Sequence, residues 1–343
     1  MTSLVECVPN FSEGRDESII RAITDSMEAV DGVTLLDVDM GADFNRTVVT
    51  IVGPPESVLE AAINGTRIAL ERIDMSKHSG EHARMGAVDV VPFIPISGAS
   101  MSDCVQLSIQ YAEMVSSEFD LPVYLYGESA RVEDRVRLPN IRKGEYEGLQ
   151  SKITDSNWVP DYGPAEFKPT MGATASGARN ILIAYNVNLD TDNKSLANMI
   201  AGKLRTSGVL KKDEDGNKIF DSEGKAVRIP GRFNALQAAG WMYNEDIAQV
   251  SMNLLDYSVT GLHTVTDAIR EEAELLGLSI TAGELVGLVP LNAMLDAGRF
   301  YHDESGTDNQ KEMVESAIAG LKLDRLDSFI PDNRIIEWAA GVN

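Results

Sequence analysis

Apolar positions in the first half of the chain fall into short runs and helical stripes that follow one another in a fixed order. Leu4 to Pro9 reads as a strand, Ser12-Glu13-Gly14 as a turn, and Arg15 to Val30 as an amphipathic helix. Ile19, Ile20, Ile23, Met27 and Val30 line one face of that helix at 3.6-residue spacing. Gly32 stops it, V-T-L-L-D-V-D reads as a buried strand, and M-G-A-D-F turns the chain back into the strand N-R-T-V-V-T-I-V-G. Pro54 and Pro55 open a helix to about Ile73, because proline in the first turn gives up no hydrogen bond. A strand over Val88 to Ile96, a helix from Ser102 to Ser117 and the strand L-P-V-Y-L-Y-G complete this half.

The second half repeats the order. N-I-L-I-A-Y-N-V-N-L, a helix from Asp192 to Thr206, the strands N-A-L-Q-A-A-G-W-M-Y and D-I-A-Q-V-S-M-N-L-L-D, a helix over Gly261 to Leu276 and L-S-I-T-A-G-E-L-V-G-L-V-P again give β-α-β-β-α-β. Two such runs predict an α+β chain of duplicated ferredoxin-like units, with subdomains at 1–179 and 180–343. A split β-α-β unit covers one sheet face with helices and leaves the other bare, so the expected packing sets the sheets facing across a central ligand tunnel. The connecting stretch Arg131 to Arg179, rich in Gly, Pro and charge, is too long for an idle linker and is expected to line the site. Asp-Gly and Glu-Gly turns predict a hairpin within Gly208 to Arg232.

Composition narrows the partners. A net charge of -23, from 53 acidic against 30 basic residues, repels phosphate backbones and argues against nucleic acid. The absence of any apolar run of about 18 residues argues against a membrane span. The opening M-T-S-L-V-E-C lacks a basic flank and cleavage site, and with two cysteines, Cys7 and Cys104, the expected location is cytoplasmic.

Chemistry concentrates in K-H-S-G-E-H-A-R-M-G-A-V-D-V-V-P-F-I-P, from Lys77 to Pro95, which holds two of the four histidines. His78 and His82 match the zinc pattern H-x-x-E-H, but that pattern needs a helix, and Gly80 and Gly86 oppose one at about 1 kcal/mol each. No metal is therefore expected. No serine stands in a nucleophile elbow, and both cysteines lie in element interiors. The remaining chemistry is general acid-base catalysis by His82 at an anion site. Asp39, at the end of its strand, either orients that imidazole or shapes the turn ahead of Gly41. Arg46 and Arg84 offer forks for a carboxylate, or ion pairs with some of the many surface acids.

Several long strings then resemble one family. V-E-C-V-P-N-F-S-E-G, N-R-T-V, the K-H-x-G-E-H-x-R-M-G-A-V-D-V stretch, P-V-Y-L-Y-G-E, D-Y-G-P-A-E-F-K-P-T-M-G-A-T, Q-V-S-M-N-L-L-D and L-V-G-L-V-P-L are similar to the formiminotransferase family over nearly the whole chain. The resemblance implies transfer of a formimino group from N-formimino-L-glutamate to tetrahydrofolate as co-substrate, in a homodimer. It places the catalytic histidine on His82; the residues themselves offer Asp39 and Arg84 to act beside that imidazole, and Arg46 and Asn10 to anchor substrate. It places folate binding on Gly163, Pro164, Ala165, Glu166, Phe167, Lys168, Pro169, Thr170, Met171 and Gly172. Formyl transfer between 5-formyltetrahydrofolate and glutamate, or folate binding without catalysis, would use the same residues.

Overall fold

The computed structural model describes residues 3–302 and 309–342. They form two compact units that divide between Asn180 and Ile181. The first unit contains β1 (Leu4–Cys7), β2 (Asn10–Phe11), α1 (Glu17–Glu28), β3 (Thr34–Gly41), β4 (Arg46–Gly53), α2 (Pro55–Arg72), β5 (Val88–Ser97), α3 (Met101–Phe119) and β6 (Val123–Gly127). It continues through the short helices α4 (Leu138–Arg142) and α5 (Glu145–Lys152) to β7 (Thr174–Ala178). Local chemistry fixes the helix starts. Asp16 accepts from the Ser18 N–H ahead of α1, Pro55 opens α2, and Ser100 with Asp103 forms a capping box on α3.

β3, β4, the β1–β2 path and β5 pair antiparallel in that spatial order; β7 and then β6 extend the sheet in parallel beyond β5. One face carries Val5, Cys7, Val49, Ile51, Val91 and Phe93, packed with Ile20, Ile23 and Met27 of α1, Ala62 of α2 and Tyr111 of α3. On the opposite face α4 and α5 cover the parallel end, where Ile141 and Leu149 pack on Val90, Tyr124, Tyr126 and Ala175. Register decides what lies on the rest of that face. Asp39 and Asn10 both sit across from Val48, Asp37 across from Thr50, and Glu6 across from Val52, so this row is polar.

The second unit holds β8 (Ile183–Leu189), α6 (Lys194–Leu204), a small ribbon of β9 (Val209–Leu210) and β10 (Arg228–Ile229), β11 (Leu236–Met242), β12 (Ala248–Leu254), α7 (Leu262–Glu274) and β13 (Ile280–Val286). α8 (Leu291–Tyr301), α9 (Gln310–Leu321), α10 (Pro331–Arg334) and α11 (Ile336–Ala339) follow. The ribbon matches the hairpin expected within Gly208 to Arg232, its two turns closed by Asp213 and Asp221 accepting backbone N–H groups. β11, β12, β8 and β13 pair antiparallel in that order. Counting the four strands of each repeat in chain order, both sheets run second, third, first, fourth. Among the described residues no helix is long and apolar enough to cross a membrane.

Candidate functional site

Three loops of the first unit meet above the polar end of its sheet, held by backbone contacts that only small residues permit. The turn between β3 and β4 ends at Asn45, a left-handed residue with φ of 48°. Its side chain accepts from the Gly14 N–H at 3.0 Å and donates to the Ser79 carbonyl at 3.0 Å, joining the turn before α1 to the histidine loop. A Cβ on Gly80 would lie 2.3 Å from the Phe44 carbonyl oxygen, and one on Gly86 2.4 Å from that of Ala173. Glycine at these two positions is a matter of clearance. Ser12 completes the junction, its hydroxyl donating to the Gly86 carbonyl at 2.7 Å.

His82 is half-buried on irregular backbone, and Arg46 Nη1 lies 2.8 Å from its Nε2. A guanidinium only donates, so Nε2 accepts and the ring is the neutral Nδ1–H tautomer. Burial holds its pKa below 6.5; the charges of Arg46 and Arg142 lower it further, and Asp89 opposes them. Nδ1 is buried and among the described residues makes no hydrogen bond of ordinary geometry, while Phe44 meets the ring edge-on. His78 takes the other tautomer. Its Nε2 donates to the Asn45 carbonyl at 2.9 Å and its Nδ1 accepts from Arg84 Nε at 3.2 Å. Both lone pairs a metal would need are thus occupied by guanidinium groups, and the stretch between the two histidines is not helical.

The residues singled out in the sequence divide into two groups. Asp39, Asn10 and Arg46 share the polar face of the sheet by register, and Arg46 links that face to His82. Asp39 is exposed and acts on Arg46 through its charge, favouring the cation. Among the described residues the side chain that hydrogen-bonds His82 is Arg46, not Asp39. Arg84 points elsewhere. With its side chain only 7% exposed, it grips Glu147 at 2.7 and 2.9 Å and Glu145 at 3.3 Å, and packs over the Tyr146 ring, which ties the histidine loop to α5.

Two residues that sequence reasoning passed over stand behind His82. Asp89, with its side chain 1% exposed, accepts from the Met85 N–H at 2.9 Å and pairs with Arg142 at the end of α4. It therefore fixes the loop carrying His82 and supplies a negative charge beneath it. A single acid inside the apolar run V-D-V-V-P-F was the available signal. Arg142, Lys143 and Gly144 line a cleft of 270 Å³ next to Ala83. Among the described residues no cluster of three or more His, Cys, Asp or Glu side chains could hold a metal ion.

Residues 4–179 match the N-terminal subdomain model of the formiminotransferase domain, and residues 184–341 match the formiminotransferase domain model. The chain belongs to the formiminotransferase family. It is 47% identical to mouse formimidoyltransferase-cyclodeaminase over 341 residues, which is 98% of this chain and 60% of that protein. It is 39% identical to glutamate formimidoyltransferase of Streptococcus pyogenes serotype M1, covering 93% of this chain and 100% of that one. The Thermoplasma acidophilum protein of the same name is also 39% identical, over 89% of this chain and 94% of its own.

In this formiminotransferase-family chain, Gly163 to Gly172 runs directly against the histidine loop. Gly86 bridges Gly172, with Ala87 N–H donating to the Met171 carbonyl at 2.9 Å and Ala173 N–H to that of Met85 at 3.2 Å. The Met75 N–H donates to the Thr170 carbonyl at 2.9 Å and the Tyr146 hydroxyl to that of Pro169 at 2.7 Å. Phe167 packs on Tyr146 with ring centroids 5.5 Å apart, and Lys168 pairs with Asp120 at 3.3 Å. Gly163 and Gly172, at φ of 79° and 69°, take the left-handed turns that bracket the segment.

Proposed function

We propose that this chain is a glutamate formimidoyltransferase, transferring the formimino group of N-formimino-L-glutamate to N5 of tetrahydrofolate to give L-glutamate and 5-formiminotetrahydrofolate. The observation that carries this reading is a neutral imidazole, His82, beside a half-buried guanidinium, Arg46, in a chain that matches a relative of that name over its full length. The chain spans 60% of the mouse protein, so nothing of the cyclodeaminase activity in that name is carried over.

The chemistry follows from the protonation state. N5 attacks the amidine carbon, and a base must take the N5 proton as the tetrahedral centre forms. Neutral His82 is that base; as imidazolium it then gives the proton to the departing glutamate nitrogen as the carbon–nitrogen bond breaks. Arg46 and Asn10 anchor the glutamate carboxylates, and Asp39 strengthens the cation at Arg46. The segment from Gly163 to Gly172 receives the folate, with its backbone joined to the histidine loop so that both substrates are held in one register. Arg84 acts as a strut for that loop. The ferredoxin-like nature of the units, a ligand tunnel, a homodimer and a cytoplasmic location belong to the same proposal, supported by the resemblance.

Purified protein offered tetrahydrofolate and formiminoglutamate tests it. Consumption of both in equal amounts supports formimino transfer; reaction with 5-formyltetrahydrofolate and glutamate alone would move the assignment to formyl transfer, and inertness with both would leave a folate-binding protein.

A further inference from the structure

Three other arginines of the first unit have a carboxylate in contact: Arg84 with Glu147, Arg135 with Asp161, and Arg142 with Asp89. Arg46 differs. Among the described residues it forms no ion pair, its charge is only half-buried on β4, and its close polar contact is the imidazole of His82. A guanidinium binds a carboxylate with two parallel charge-assisted hydrogen bonds, each about twice as strong as a bond to a neutral acceptor. Burial already disfavours the Arg46 cation, and Arg142 adds to that; Asp39 and Asp89 favour the cation without touching it. The residue is therefore held in an arrangement that an arriving carboxylate would improve.

We propose that Arg46 is a substrate-operated cap on His82: it occupies the Nε2 lone pair until a carboxylate of the glutamate-bearing substrate draws the guanidinium away and frees the base. The inference rests on His82 being the base of the proposed reaction and extends it to the order of events. With the lone pair occupied, the imidazole cannot take a proton, so binding the donor is a condition for activating the nucleophile. The charged groups facing the ring come from four elements: Arg46 on β4, Arg142 on α4 and Asp89 on β5 act on it directly, and Asp39 on β3 acts through Arg46. Departure of the Arg46 charge leaves Asp89 opposed by Arg142 alone, and neutralisation by the incoming carboxylate works in the same direction. Opening the cap therefore raises the proton affinity of the base it exposes.

The test is nitrogen NMR of histidine-labelled protein with L-glutamate as probe, the His82 signals being identified by their loss in His82→Gln. In wild-type protein, saturating glutamate is expected to shift the Nε2 resonance toward that of a free lone pair and to raise the His82 pKa, because the Arg46 charge that lowers it is drawn away. In Arg46→Met both changes are expected to be present without ligand, and glutamate adds nothing. Unchanged Nε2 shift and pKa in wild-type protein shown by calorimetry to be saturated would overturn the cap, as would failure of glutamate to bind. Neither readout depends on turnover, so a protein that transfers the formimino group yet shows no coupling loses the cap and keeps the function. A protein that shows coupling without transfer keeps the cap and loses the function.

Discussion

Replacing Gly86 by alanine should part the histidine loop from the segment at Gly163 to Gly172. A Cβ there would stand 2.4 Å from the Ala173 oxygen, 2.6 Å from the Met171 oxygen and 2.8 Å from the Ala173 nitrogen. All three are backbone atoms, so no side chain can rotate out of the way. The two strands of chain must separate, and the bonds from Ala87 N–H to Met171 and from Ala173 N–H to Met85 stretch with them. Each bond contributes about 0.5–1.5 kcal/mol and overpacking costs about 1–3 kcal/mol, which together give about 2–6 kcal/mol. Hydrogen exchange read by mass spectrometry localises the effect: peptides containing the Ala87 and Ala173 amides should exchange about thirtyfold faster or more, since about 1.4 kcal/mol is a factor of ten. Gly148→Ala is the control. Its Cβ meets nothing within 4 Å inside α5, so it should leave those amides unchanged and stabilise the helix by about 0.5–1 kcal/mol. Wild-type exchange in Gly86→Ala, with stability within about 0.5 kcal/mol of the parent, would refute the steric reasoning.

Asp89→Asn leaves Arg142 with an unpaired charge and should cost about 3–5 kcal/mol in urea unfolding, while lowering the His82 pKa further because Asp89 is the charge that raises it. Acid should weaken the fold before the carboxylates titrate. His78, His82 and His263 all have pKa values held below 6.5 by burial, so the unfolded chain binds more protons as pH falls below 6.5. Stability is therefore full above that pH and declines below it until the folded-state values are passed; the Glu337 carboxyl, raised from 4.5 by burial, acts in the opposite sense. A urea midpoint that does not fall between pH 7 and pH 5.5 would contradict this. Lys152 donates to the carbonyls of Asn140, Ile141 and Lys143 and lies 3.9 Å over the Trp158 ring, so Lys152→Met should cost about 1–3 kcal/mol by calorimetry.

Both repeats were legible in the sequence because their elements carry strong periodicity. α1 needs Ile20, Ile23 and Met27 on one face, and β5 is an apolar run buried on both sides. β7 was not legible. T-A-S-G-A has no large apolar residue, yet all five positions are buried between β5 and β6, where close strand packing favours small side chains. The short helices α4 and α5 were hidden for a related reason: each fully buries a single side chain, Ile141 and Leu149, too few for a period. At the site, the glycines around His82 marked an irregular loop carrying a titratable group. Which group would meet the imidazole depended on register across β3 and β4, and on Asn45 pulling the loop down onto the Arg46 end of the sheet. Neither is visible in spacing along the chain.

The base role of His82 is tested most directly by a paired measurement on His82→Ala, folate affinity by calorimetry and single-turnover formimino transfer on the same preparation. It predicts folate affinity within about twofold of wild type and transfer slowed by about a hundredfold to ten-thousandfold. A variant that keeps more than about a tenth of the wild-type transfer rate contradicts it.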